Sequence, residues 1–233
     1  MAASAKFQGK VKLITPSWVI PGTYLENLRF LDGKDKIDGV ELLFFLYDED
    51  IRAEFLRDLP GIRDFAKRFV FTAHLPDNLR EEHEELVEVL SPLVKHFIVH
   101  PAADADAGAR LLETWMSRYG RRRFLLENTV PGRFEALLAC FGGDMPVCMD
   151  TAHLLIEGRV PADFARRYSG QIREVHLNGM GEGDSDGHKP PRAEDGWFLE
   201  LVPFLRQFSG IVNLELFSWD EVKQGIDCLE KNV

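Results

Sequence analysis

Along this chain the spacing of apolar positions switches between two periods from one end to the other. Short runs rich in Val, Ile, Leu and Phe, bounded by Gly, Pro, Asp or Asn, read as strands. Between them lie stretches with apolar residues every three or four positions, the pattern of a helix with one buried face. The predicted strands are residues 11–17, 37–45, 69–75, 96–101, 123–129, 146–151, 172–178 and 211–217. The predicted helices are residues 24–31, 52–68, 79–90, 103–119, 133–141, 161–168, 196–208 and 218–231. Pro161 and Asp77 suit helix starts, and Gly120, Gly142 and Gly170 suit helix stops.

The order is strand then helix, repeated eight times. The strands are apolar on both faces, which an open antiparallel sheet with one wet side does not allow, so they are parallel and covered by helices. Eight such units in 233 residues, with no linker or low-complexity segment, predict an α/β protein with a single domain over residues 1–233, a (β/α)8 TIM barrel. An open doubly wound sheet is the competing architecture. It is disfavoured because no phosphate-binding Gly-rich turn follows the first strand.

A barrel of this kind builds its active site from the C-terminal ends of its strands. Here strand three ends at His74, strand four at His100, strand five at Glu127-Asn128, strand six at Asp150 with His153 beyond it, strand seven at His176 with Asn178 beyond it, and strand eight at Glu215. The period of two puts each on one face with a partner two residues earlier (Thr72, Ile98, Leu125, Cys148, Glu174 and Asn213), which is the barrel interior. Glu41 also points inward and needs a partner there. The loop after strand seven adds Asp186-Gly187-His188-Lys189, and its Gly179-Met180-Gly181-Glu182-Gly183 start reads as a flexible lid rather than a dinucleotide fingerprint. Several carboxylates and imidazoles converging in one cavity cost many kcal/mol unless cations neutralise them, so this end of the barrel is a candidate metal site. His83, inside an acidic helix, and His96, at the far end of its strand, read as structural.

Composition narrows the partners. A net charge of −10 disfavours a protein that tracks a nucleic-acid backbone, and the Arg121-Arg122-Arg123 run reads as a solvated turn. No apolar run is long enough to span a membrane, and the first residues have no apolar signal core, so the expectation is a cytoplasmic protein without membrane or nucleic-acid partners. Three cysteines without C-x-x-C spacing (Cys140, Cys148 and Cys228) indicate packing residues in a reducing compartment.

The Glu127-Asn128-Thr129, Asp150-Thr151-Ala152-His153 and His176-Leu177-Asn178 motifs at these strand ends resemble the xylose-isomerase-like TIM-barrel superfamily. Within it the set is similar to endonuclease IV, whose three metal ions are held by a ligand series in the same chain order. That resemblance implies Glu127 bridging two ions, with His74 and His100 on the first and Asp150, His176 and Glu215 on the second. It implies a third held by His153, Asp186 and His188. Two or three divalent ions are expected, zinc first, with manganese or iron as alternatives. The reaction implied is metal-dependent phosphodiester hydrolysis with Glu127 and Glu215 as catalytic groups. The alternative is a sugar isomerase or epimerase, for which one ion on Glu127, Asp150, His176 and Glu215 suffices. Residues 15–23, with Glu26-Asn27, and residues 39–45 resemble the cobamide-remodelling phosphodiesterases, which implies a small-molecule phosphodiester substrate, a cobamide. Trp18, Tyr47, Asn128, Asn178 and Lys189 are the expected substrate contacts.

Overall fold

In the computed structural model, which describes residues 11–130, 132–181 and 187–233, the strands close into a barrel in sequence order. They are β1 Lys12–Pro16, β2 Gly39–Leu43, β3 Val70–His74, β4 Val94–Val99, β5 Phe124–Glu127, β6 Val147–Asp150, β7 Ile172–His176 and β8 Ile211–Asn213. All neighbours pair in parallel, and β8 closes on β1 with Ile14 opposite Asn213. The helices are α1 Tyr24–Leu31, α2 Glu49–Asp64, α3 Glu84–Leu90, α4 Ala105–Tyr119, α5 Arg133–Cys140, α6 Thr151–Ile156, α7 Pro161–Tyr168, α8 Gly196–Leu205 and α9 Trp219–Asn232. Among the described residues no helix is long and apolar enough to cross a membrane.

Alternation along each strand divides its side chains between two environments. Outward residues such as Val40, Leu42, Phe71, Ala73, Phe97, Val99, Leu126 and Val175 are buried under the helices in one continuous core. Burying each of the larger ones contributes roughly 1.5–3 kcal/mol. Inward residues include Glu41, Thr72, His96, Ile98, Leu125, Cys148, Glu174 and Asn213, all buried. Gly39 is required at the crowded base of β2, because a Cβ there would strike the Val70 carbonyl oxygen and the Ile14 side chain.

Side-chain caps fix several helix starts. Thr23 and Glu26 form a reciprocal capping box on α1, and Asp48, Asp104 and Ser218 cap α2, α4 and α9. Each such cap is worth about 1 kcal/mol. Two expectations are corrected here. Asp77 does not start a helix: a short 3-10 turn, Glu81–His83, precedes α3, and Asp77 faces His100 instead. The stretch after β6 is not loop, because Asp150 turns its own carboxylate onto the His153 N–H at 2.7 Å and nucleates α6.

Candidate metal centre

The ends of β3 to β8 bring six of the expected side chains together around Glu127. Its Oε2 lies 3.1 Å from His74 Nε2 and 2.8 Å from His100 Nε2, and its Oε1 lies 2.7 Å from His176 Nδ1. The same Nδ1 is 3.4 Å from Glu215 Oε2 and 3.9 Å from Asp150 Oδ2. Donor atoms of Glu127, Asp150, His176 and Glu215 all lie within 4.8 Å of one another, and those of His74, His100 and Glu127 form an adjoining group.

The two groups differ in how their nitrogens are used. His74 Nδ1 meets the Leu75 carbonyl oxygen at 3.0 Å and His100 Nδ1 meets Asp77 Oδ1 at 3.1 Å, so both rings are engaged at each end. His176 is fully buried, yet neither of its ring nitrogens makes a hydrogen bond of acceptable geometry. A buried nitrogen without a partner, facing three carboxylates from inside a cavity, is the arrangement a divalent cation completes. The donor set therefore fits a metal.

Charge balance says the same. Burial would raise the Glu127 carboxyl, but His176, His100 and His74 outweigh it and hold it well below the usual range. Burial would also raise Glu215, and His176 brings it down to about 2. Asp150 is pushed up to about 7 by burial and by Glu215 and Glu127. His176, despite burial, is driven well above the histidine range by Cys148, Glu41, Glu215 and Glu127. Protons are gathered to offset an excess of negative charge that a cation would otherwise meet. Burial pushes the Cys148 thiol well up.

Asn128 and Asn178 hold the site together. The Asn128 amide exchanges two 2.9 Å hydrogen bonds with the Asp150 backbone, tying β5 to β6. Asn178 Nδ2 donates to Asp150 Oδ2 at 3.1 Å and Glu215 Oε2 at 2.9 Å, and its Oδ1 accepts from the Ala152 N–H. Lys189 pairs with Glu221 of α9, and its backbone bridges Gly179 at the base of the strand-seven loop. Tyr47 packs edge-on against Phe44 and His83. Trp18 is exposed on the loop after β1 and remains free to meet a ligand.

Of the third expected metal group, only His153 and His188 fall among the described residues. His153 sits in the first turn of α6, where it joins none of the convergent groups, and Asp186 and most of the expected lid lie outside the described residues. His188 is in the left-handed backbone region (φ 59°), with its ring on Phe217 and Nε2 3.6 Å from Glu215 Oε2. The sequence assigns Asp77 only to a helix start, and its place behind His100 depends on the reach of a loop residue toward a strand-end histidine. His83 and His96 take structural partners, the Arg80 N–H and Glu174 respectively.

No family model matches the chain, and no curated protein does. Solved structures share its fold over nearly its whole length. The 3-keto-D-glucoside 4-epimerase YcjR of E. coli is 15% identical with a TM-score of 0.62, covering 94% of this chain and 97% of its own. An L-ribulose 3-epimerase is 17% identical with a TM-score of 0.64, covering 96% of this chain and 86% of its own. The probable 3-DHS dehydratase AsbF of Bacillus anthracis is 14% identical with a TM-score of 0.64, covering 95% and 97%. These likenesses agree with the barrel expected from the sequence.

They also overturn the phosphodiesterase expectation. These three fold neighbours are two epimerases and a probable dehydratase, and the expected cobamide and endonuclease IV relationships find no support among them. The preference for hydrolysis rests on a third metal group that includes Asp186, which lies outside the described residues, whereas Glu127, Asp150, His176 and Glu215, which do converge, suffice for the alternative, isomerisation.

Proposed function

We propose that this chain is a divalent-metal-dependent isomerase or epimerase of a sugar or sugar derivative that carries a carbonyl group. The observation that supports it most is the convergence of Glu127, Asp150, His176 and Glu215, with two low-pKa carboxylates, Glu127 and Glu215, delivered from strands three places apart around the barrel. The epimerases among the fold neighbours point the same way. Held by these four residues, a divalent cation supplies electrophilic stabilisation of negative charge on the substrate's carbonyl oxygen.

The remaining work falls to the chain's own groups. Glu127 and Glu215 approach the site from different sides, so one removes the proton from the carbon beside the carbonyl and the other returns it. Return to the opposite face of the same carbon inverts the centre, the course open to two carboxylates on different sides. Ketose–aldose interconversion would use one of them to carry the proton between neighbouring carbons on one face, while the hydroxyl proton passes from one substrate oxygen to the other. His74 and His100 hold Glu127 Oε2, and Asn178 holds Glu215 Oε2, which fixes both carboxylates for that transfer. Three carboxylates and one imidazole suit manganese or a similarly hard ion. The zinc expectation leaned on His74 and His100, both already engaged, so we assign one ion to the four-residue group.

Protein loaded separately with manganese, cobalt and zinc should be incubated with ketopentoses, ketohexoses, their phosphates and keto-glycosides. Metal-dependent interconversion within one of these classes, abolished by chelator, is the expected result. Loss of water from a cyclic hydroxy-ketone with no epimer formed would replace this reading with a dehydratase.

A further inference from the structure

The barrel interior beneath the candidate metal centre is divided in two. On the β4 to β6 side it is filled by Ile98, Leu125 and Cys148, packed on one another. On the β7, β8, β2 and β3 side lie Glu174, Asn213, Glu41 and Thr72, none with any exposure. The first half shows that apolar side chains can fill the barrel at this depth. Replacing buried charges by apolar packing is commonly neutral or stabilising, so two buried carboxylates here call for a task other than stability.

Their contacts form a chain that leads upward. His96 Nδ1 is 3.0 Å from Glu174 Oε2, and the Thr72 hydroxyl lies 3.1 Å from Glu174 Oε1 and 3.2 Å from Glu41 Oε2. Asn213 Nδ2 donates to Glu41 Oε1 at 3.0 Å. Above them, His176 Nε2 is 3.3 Å from Glu41 Oε2. The other ring nitrogen, Nδ1, faces Glu127, Glu215 and Asp150. Only one side of the ring therefore looks into the candidate metal centre, and among the described residues Glu41 is the one carboxylate paired with the other side.

We infer that Glu41 is a positioning residue for His176: it faces Nε2 at 3.3 Å, ready to take the Nε2–H when a cation holds Nδ1 and so fix the ring's tautomer, and it is itself held by Asn213 and by the Thr72 hydroxyl that it shares with Glu174, which His96 pairs. A carboxylate behind a metal-bound imidazole sets ring orientation and raises its basicity. The inference rests on the metal reading above and is independent of which sugar reaction the site performs.

The test is zinc binding by the purified full chain, measured by competition with a chromophoric chelator at a temperature where circular dichroism shows each variant folded. Glu41→Gln, which keeps the shape but not the charge, should bind zinc about 10–100-fold more weakly than wild type. Glu174→Gln, one link further from the ring, should lose less. Long-range 1H–15N spectra of the zinc-loaded wild type should show His176 protonated at Nε2 and coordinated through Nδ1, a signature that a merely space-filling Glu41 does not require. Affinity of Glu41→Gln within about twofold of wild type, or coordination through Nε2, overturns the inference. If Glu41→Gln does not fold, Asn213→Ala, which removes one donor to Glu41, takes its place; a several-fold loss supports the inference and unchanged affinity overturns it. A wild type that binds no divalent ion would instead remove the metal reading, and this inference with it.

Discussion

Asp150→Asn should stabilise the metal-free protein at alkaline pH while weakening metal binding. Asp150 is fully buried, and burial together with Glu215 and Glu127 lifts its carboxyl from 3.8 to about 7. Below the lower value the group is neutral in both the folded and unfolded chain. Between the two, the unfolded chain ionises while the folded one resists, so stability is present at low pH and is lost as pH rises through the folded value. A shift of about three units corresponds to roughly 4 kcal/mol at full ionisation. Protons on His176 and His100, in the same cluster, offset part of that and leave about 2 kcal/mol. The asparagine keeps an oxygen to cap α6 through the His153 N–H and has no charge to bury. For a chain of this length the gain should appear as a melting temperature about 4–8 °C higher than wild type at pH 8 in chelator. At pH 5, already above the unfolded value, the difference should fall to roughly two-fifths of that, and it should vanish only below the lower value. Adding a divalent ion at 100 times its Kd stabilises wild type by about 2.7 kcal/mol, and the variant, with one anionic donor fewer, gains less, so its lead narrows and reverses once its affinity is roughly 40-fold weaker. A variant that melts below wild type in chelator at pH 8, or by the same difference at pH 5 and pH 8, would refute the charge-excess argument.

Three further outcomes can be checked with single variants. Glu215→Gln should lower turnover about 100–10,000-fold, the range for loss of a general acid or base, and a loss that added metal fully restores would assign Glu215 to metal binding alone. Asn178→Ala leaves Asp150 and Glu215 without their shared donor and should cost about 1–3 kcal/mol by chemical denaturation; no change would mean that the amide is not needed to hold them. Trp18→Ala removes an exposed side chain and should change stability by less than about 0.5 kcal/mol, while a raised KM with unchanged melting would identify Trp18 as part of the substrate surface.

The barrel was legible in the sequence because its strands and helices alternate with different periods, and because the inward set of strands three to eight ends in a chemically loaded residue. His74, His100, Glu127, Asp150, His176 and Glu215 could be gathered from strand ends alone, since a closed parallel barrel aims all of them at one point. Residues off the strands were not legible in the same way. His153 follows Asp150 closely in sequence, and the sequence did not show that Asp150 caps a helix whose first turn holds His153. Asn178 and Asn128 look like polar contacts for a ligand, and only the distances show that they pin carboxylates and strand ends. Asp77 reads as a helix cap until the loop is seen to turn it toward His100. The reaction was the least legible feature, because a resemblance across nine ligand positions counted Asp186 and His188 toward a third metal that periodicity cannot place.

The central claim, proton transfer beside a carbonyl by Glu127 and Glu215, is tested most directly by running the metal-loaded protein in heavy water with a sugar it interconverts. One deuterium should appear at the inverted or migrating carbon of the product, seen by NMR and mass spectrometry, and incorporation should fall in step with turnover in Glu215→Gln. Product formed at full rate with no solvent deuterium, even at the shortest times, would mean that hydrogen moves directly between carbons and would contradict the assignment of the two carboxylates.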